Sequence, residues 1–370
     1  MRNISNAKLR NYTKIFMGGL HFRYKLRPVR RHPSNEKYSI SLYGHAIFLD
    51  DETFIYGHSL STDWDNVVCV NLKDAANGNM QPPAQKTLFE SYFHNPTVRN
   101  NFLFFDQYSG LGYPQPPVVC RIPLIALKNP VEEIVPEKFL RGVVHKVFGL
   151  PEAHIAIKAK VKLVELKKKR PVYIVSTDNQ EIIWEVDPRH FFPSASYLSK
   201  DMEWIIYFYY GKTDTLCPYM EKKHLQSGEI TDSILFKELL VNNDGMIPCC
   251  DYSLGFSDLN GRNRFFILQF DNLAIIDLDD FQKTSLLLPL NIGNKYPQRD
   301  RFTLSRRNPI MYIVEDDGQI LVFDYENYAI RKIDGIRVDP NCGFLISPND
   351  NWLAYLETND DFELIGIMQL

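Results

Sequence analysis

The sequence predicts an all-β fold, a single closed β-propeller of seven four-stranded blades, with six or eight blades also allowed by the uneven spacing of its units. Three observations carry this. One β-unit recurs along the chain: a small or polar turn-like prefix, an apolar strand, an acidic or Gly-containing turn, and a second apolar strand. Two copies, beginning near Phe302 and Phe344, are offset by about 42 residues, the size of a propeller blade. Finally, 45% hydrophobic and 13% aromatic content over 370 residues is ample for a packed core and argues against disorder.

The first unit pairs Ala46–Leu49 with Thr53–Tyr56 across Asp50–Asp51–Glu52, and Asn66–Val70 follows. Residues 75–85, with Pro82–Pro83 and Gly78, read as a surface loop. The second unit holds Phe102–Phe105 and Val118–Ile122, after which Glu132–Leu150 alternates between strand-like and helix-like readings, with Glu137–Leu140 suited to the start of a short helix. In the third, Ile155, Ile157, Ala159, Val161 and Leu163 alternate with Lys158, Lys160 and Lys162, the period-two signature of a strand wet on one face. Val172–Val175 and Glu181–Val186 complete it. The fourth contains Ala195–Leu198 and Trp204–Tyr210, whose Tyr207–Phe208–Tyr209–Tyr210 run is expected to pack between blades, with a short helix over Ile234–Leu240. Tyr252–Phe256, Arg264–Leu268 and Leu273–Asp277 form the fifth. The sixth joins Ile310–Val314 to Gln319–Asp324 across Glu315–Gly318, and the seventh ends at Phe362–Met368, near the C-terminus. Leu20–Tyr24 is a candidate strand to complete the last blade and close the ring.

Three of these units share a local element. Ser347–Pro348–Asn349–Asp350–Asn351–Trp352–Leu353–Ala354–Tyr355 is its clearest form, Ser199–Tyr207 a degenerate copy and Ser305–Tyr312 a weaker one. It resembles the blades of β-propellers of the broad WD-repeat or TolB-like kind. The Gly–His pair and terminal Trp–Asp of true WD repeats are missing at their expected offsets, so the resemblance implies blade shape and transfers no functional residue.

Residues 1–31 carry nine Lys/Arg and no acid, which leaves the rest of the chain near −12 within a net −3. They read as a basic N-terminal extension preceding a propeller at 32–370: a solvated leader whose later part joins the first sheet, or else an arm able to dock on an acidic surface or anionic membrane or to serve in organelle targeting. The six cysteines lack paired short spacings and read as buried thiols of a reducing, cytoplasmic compartment. No apolar run reaches 18 residues, so a membrane-spanning helix is not expected.

No phosphate loop, His–Glu–x–x–His, Cys–x–x–Cys or Gly–x–Ser–x–Gly is present, and no cofactor or metal is expected. His58, His145, His190 and His224 are the histidines that a propeller axis could gather. The acidic turns at Asp277–Asp280, Glu315–Asp317 and Asp360–Asp361 lack a calcium-loop pattern and read as solvated hairpin turns. Candidate binding residues are of two kinds. Trp64, Tyr108 and Tyr113 sit in loop-like stretches near Gly and Pro and suit a protein-binding or sugar-stacking surface. Lys158, Lys160, Lys162, Lys167, Lys168, Lys169 and Arg170 form a basic strand and turn suited to an acidic protein partner; the acidic body and the lack of a recognition helix disfavour nucleic acid. The resulting expectation is a non-enzymatic protein-interaction module or scaffold, accessory or inhibitor-like towards a basic partner. The alternative is a propeller hydrolase or lyase acting on a carbohydrate or small peptide.

Overall fold

The structure, a computed structural model, describes residues 2–3, 13–15, 21–28, 44–59, 65–73, 85–107, 117–128, 134–159, 171–186, 196–209, 219–235, 253–269, 271–287, 301–340, 343–358 and 362–370. Seven sheets follow one another along the chain, each with four antiparallel strands, as the blades of a β-propeller do. Sheet 1 is Ala46–Phe48, Thr53–Ser59, Asp65–Asn71 and Gln85–Glu90; sheet 2 is His94–Arg99, Phe102–Gln107, Val118–Pro123 and Glu137–Arg141. Sheet 3 is Val143–Val144, His154–Lys158, Val172–Ser176 and Ile182–Val186; sheet 4 is Ser196–Leu198, Trp204–Tyr209, Tyr219–His224 and Ile230–Leu235. Sheet 5 is Ser253–Ser257, Arg264–Gln269, Asn272–Asp277 and Ser285–Leu287; sheet 6 is Phe302–Leu304, Ile310–Val314, Ile320–Asp324 and Ala329–Ile333. Sheet 7 is Phe344–Ile346, Trp352–Thr358 and Phe362–Gln369, with His21–Pro28 antiparallel to the last of these, where a completing strand was expected. The α-helix Leu124–Lys128 is the longest helix among the described residues, and no described helix is long and apolar enough to cross a membrane.

Three sheets carry a further strand. Val147–Phe148 runs parallel to the first strand of sheet 4. Arg2–Asn3 runs parallel to Ser285–Leu286 at the outer side of sheet 5, and Thr13–Ile15 parallel to Arg331–Ile333 at the outer side of sheet 6.

The sheets form because their central strands are apolar on both faces, as strands packed between two neighbours must be. In the third unit Ile155, Ala156 and Ile157 are all buried, so the expected one-sided alternation does not hold over the described part of that strand, and residues 160–163 lie outside the described residues. Two compact units account for the chain's internal contacts. In one, Phe266, Leu268, Met311, Ile313 and Phe323 pack sheet 5 on sheet 6, while Phe208, Ile206, Phe265 and Ile267 pack sheet 4 on sheet 5. Phe208 thus packs between sheets as expected of its run, Tyr207 is buried, and the Tyr209 side chain and Tyr210 lie outside the described residues. In the other unit, Ile55, Val67, Leu103 and Phe105 join sheets 1 and 2, and Phe104, Phe139, Ile157 and Val175 join sheets 2 and 3. Each such fully buried side chain contributes about 1.5–3 kcal/mol.

Of the two candidate helices, the first is a strand, and so is the described start of the second. Glu137–Arg141 pairs with Val118–Arg121, because Phe139 is needed edge-on against Phe104 (5.1 Å) and Glu137 meets Arg121 at 2.8 Å. Ile234 belongs to Ile230–Leu235, which pairs with Tyr219–Lys223; the remainder of 234–240 lies outside the described residues. The fourth strand of sheet 1 and the first of sheet 2 went unread. His94–Arg99 hides behind Pro96 and a left-handed Asn95 (φ 50°), which interrupt its pairing between His94 and Thr97.

The three related sequence elements all fall between the first and second strands of sheets 4, 6 and 7, with a different hydrogen-bond pattern in each. The hydroxyl of Ser199 accepts from the Trp204 amide (2.9 Å), and that of Ser305 from the amides of Arg307 (3.1 Å) and Asn308 (2.9 Å). In sheet 7 the Asp350 amide donates to the Ser347 carbonyl (3.0 Å), Asp350 takes φ 60°, and Trp352 is buried immediately after. A serine leading into a tight polar turn is the physical content of the repeat, and in sheets 4 and 6 its hydroxyl takes part in closing that turn.

Candidate functional site

A polar cleft of about 750 Å³ opens between sheet 5 and the last hairpin of sheet 6, within one compact unit. One wall comes from the ends of two paired strands, where Arg264 stands opposite Asp277. Asp277 Oδ1 accepts from the amides of Asp279 (3.0 Å) and Asp280 (3.1 Å), and Asp280 caps the 3-10 turn Phe281–Lys283 by accepting from the Gln282 amide (3.0 Å). That turn and the start of the strand after it present Lys283 and Ser285 to the cleft. Asn263 Nδ2 donates to Asp279 at 3.2 Å.

The other wall is built the same way. Asp324 accepts from the amides of Glu326 (3.0 Å) and Asn327 (2.9 Å) and from Asn327 Nδ2 (2.8 Å), and Tyr328 follows in a left-handed conformation (φ 55°). Arg264 ties the walls together. Its Nη2 meets Glu326 Oε1 at 3.2 Å, and its guanidinium carbon lies 5.5 Å from the centre of the Tyr325 ring. Tyr325 packs 4.9 Å from Phe266, its hydroxyl lies 3.4 Å from Ser257 Oγ, and burial raises its pKa, so the phenol remains a neutral hydrogen-bonding group.

The lining holds three cations, Arg262, Arg264 and Lys283, against three carboxylates, Asp277, Asp279 and Glu326. Asp277 is committed to the turn and Glu326 to Arg264. Exposed Arg262 makes no side-chain ion pair or hydrogen bond among the described residues. The cleft therefore offers charge and aromatic surface around one available guanidinium.

A second polar cluster lies in the other compact unit. Asp106, fully buried, accepts from the Val144 amide (2.7 Å) and Asn95 Nδ2 (2.8 Å), fastening sheet 2 to sheet 3; His94 Nδ1 lies 4.0 Å away and His45 sits edge-on to His94 at 5.0 Å. Nearby, Gln107 Nε2 donates to Ser91 Oγ (2.9 Å) and Cys120 Sγ to Gln107 Oε1 (3.4 Å). Burial pushes the Cys120 thiol up to about 11, so it is a protonated structural group and a poor nucleophile.

Of the candidate residues read from the sequence, Trp64, Tyr108, Tyr113, Lys160, Lys162, Lys167, Lys168, Lys169 and Arg170 lie outside the described residues. Lys158 ends its strand opposite Val143 and Val172, half-buried and in the unit without the cleft. His190 and the side chain of His58 also lie outside. Burial, and then the charge of Lys158, bring His145 down to about 4; His224 Nδ1 lies 3.1 Å from Ser227 Oγ and its ring is edge-on to Trp204. Among the described residues no three His, Cys, Asp or Glu side chains gather as a metal site.

The acidic turn at Asp277–Asp280, expected as a solvated hairpin turn, caps its own backbone and lines the cleft with Asp277 and Asp279. At the next acidic turn Asp316 pairs with the buried Arg301 (2.7 Å) and Glu315 with Lys332 (3.2 Å), while Asp360–Asp361 lies outside the described residues. Sequence reading missed the cleft because its two walls are 62 residues apart at the Arg264–Glu326 pair. The faint signal was the same acidic strand end, Asp277 and Asp324, in successive units. Comparison with protein-family models and with curated proteins found no match for this chain.

Proposed function

We propose that this chain is a non-enzymatic protein-interaction module whose cleft between sheets 5 and 6 recognises a side-chain-rich surface of another protein. The observation that carries this reading is the internal pairing of the cleft's charges. Arg264 with Glu326, Asp277 with its turn and Asp279 with Asn263 form a preorganised polar surface that leaves Arg262 outward. Such a surface orients a partner by complementary charge and supplies Tyr325 and Tyr328 as aromatic contacts. The acidic body, near −12 outside residues 1–31, favours a basic partner and an accessory or inhibitor-like role. The shared place of these serine-led turns, between the first and second strands, supports blades of the WD-repeat or TolB-like kind, and free Cys69 and Cys120 support a reducing, cytoplasmic setting.

The test is quantitative affinity capture from native extract with the full chain and with its Arg262→Glu and Asp279→Lys variants, at low and high salt. A discrete protein held by the native chain and lost from both variants is expected. Capture that is identical for all three would remove the cleft from the proposal.

A further inference from the structure

Five of the seven fourth strands carry one extra residue relative to the third strand beside them: Leu88, Phe139, Ile183, Thr231 and Leu26. A one-residue bulge bends an outer strand and interrupts its ladder, which keeps an edge from recruiting a foreign strand. The other two fourth strands, Ser285–Leu287 and Ala329–Ile333, pair in unbroken register. These two receive Arg2–Asn3 and Thr13–Ile15 as fifth strands. Edges that are bent stand alone among the described residues, and edges fit for pairing are covered.

The described cover on sheet 6 is Thr13–Ile15, and its register brings like charge to like. Thr13 stands in register with Arg331, Lys14 with Lys332 and Ile15 with Ile333. Like charges at paired positions destabilise a ladder, and this cover brings no acid to either cation. Lys332 is held by Glu315 at 3.2 Å, whereas the Arg331 side chain makes no ion pair or hydrogen bond among the described residues. Ile333 is buried, so the third position favours an apolar partner.

We infer that the regular outer edge of sheet 6 is a strand-addition site for an extended acidic segment of another protein, which displaces Thr13–Ile15 and sets acids opposite Arg331 and Lys332 and an apolar residue opposite Ile333. Main-chain pairing supplies affinity and the two cations supply selectivity. The inference rests on the reading of the chain as an interaction module, but it uses a backbone edge where that reading uses the cleft side chains.

Two synthetic peptides test it on the full-length chain: residues 11–17 as they stand, and the same peptide with Thr13→Glu and Lys14→Glu. Binding is read by fluorescence anisotropy, and its place by amide hydrogen exchange. The acidic peptide is expected to bind at least about threefold tighter, to weaken at high salt, and to slow exchange in Ala329–Ile333 while Thr13–Ile15 exchanges faster. Arg331→Glu is expected to reverse the preference. Should that variant not fold, Thr13→Glu with Lys14→Glu in the full chain is expected to tighten the resident strand and exclude the acidic peptide. Equal binding of both peptides, or no change in exchange at Ala329–Ile333, overturns the proposal. So does a concentration-dependent dimer whose Ala329–Ile333 protection the peptide cannot alter, since a second copy is then the occupant. The exchange signature reports on the edge alone, so loss of the cleft reading in the capture experiment leaves this result standing.

Discussion

Replacing Asp106 tests whether sheets 2 and 3 are held by a buried acceptor as well as by apolar packing. The carboxylate is fully buried and takes the Val144 amide at 2.7 Å and Asn95 Nδ2 at 2.8 Å. A hydrogen bond to a charged acceptor contributes about 1.5–3 kcal/mol, and a buried donor left unsatisfied costs a similar amount. Asp106→Ala is therefore expected to cost about 3–5 kcal/mol, with some relief if water reaches the gap. Asp106→Asn keeps the shape and one acceptor oxygen, which can still serve Val144, while the Asn95 amide can turn its own oxygen towards the new donor; about 1–2 kcal/mol is expected. The assay is urea unfolding together with amide exchange at Val144, because both partners and Asp106 lie in one compact unit and a local opening can precede global unfolding. A 3 kcal/mol loss corresponds to roughly hundredfold faster exchange at that amide. A cost below about 1 kcal/mol for Asp106→Ala would refute the assignment and leave apolar contacts such as Phe104 with Phe139 as the joint between the two sheets.

Two further outcomes follow from backbone geometry and burial. Gly318 has φ 82°, and a Cβ there would stand 2.4 Å from the Val338 carbonyl oxygen, whereas Gly335 has φ 88° and open space around it. Gly335→Ala is expected to cost only the left-handed backbone penalty of about 1–2 kcal/mol, and Gly318→Ala clearly more in thermal unfolding; equal losses would show that the Val338 contact yields without strain. His145 is held neutral, its pKa brought from 6.5 to about 4 chiefly by burial, so the unfolded chain binds a proton that the folded chain refuses across that window. Stability should be fully present above pH 6.5 and fall towards pH 4, by at most about 1.4 kcal/mol per pH unit. His145→Gln should flatten that part of the urea-midpoint profile, and an unchanged slope would assign the decline to other groups.

The blades were legible because their code is local. Each hairpin is written as an apolar run, a turn of Asp, Asn, Ser or Gly, and a second apolar run, and in sheets 1 to 6 the four blade strands lie side by side in their sequence order. Reading failed where a strand's reason to exist is a partner rather than its own composition. Glu137–Leu140 has helix-compatible residues and becomes a strand because Phe139 and Arg121 fix it against its neighbour. The cleft is less legible still. Arg264 and Glu326 lie in different units, and nothing in either residue's context announces the other. Most of the aromatic and basic candidates fall outside the described residues, so composition alone continues to speak for them.

Register is the property that sequence conceals most completely, and here it decides which edges can bind. Leu26, Leu88, Phe139, Ile183 and Thr231 share no side-chain chemistry; each is extra only with respect to the strand beside it. The first residues of the chain give the converse case. Their charge suggests an arm reaching for an acidic surface, yet the backbone of Arg2–Asn3 and Thr13–Ile15 is spent on the two edges that no bulge protects. Composition describes what that segment can attract, while register determines what it covers. A chain that bends five edges and covers the remaining two has dealt with every fourth strand, but by unequal means. A bulge is built into its own strand, whereas a cover lies against an edge that stays regular, and among the described residues the regular fourth strands are those of sheets 5 and 6.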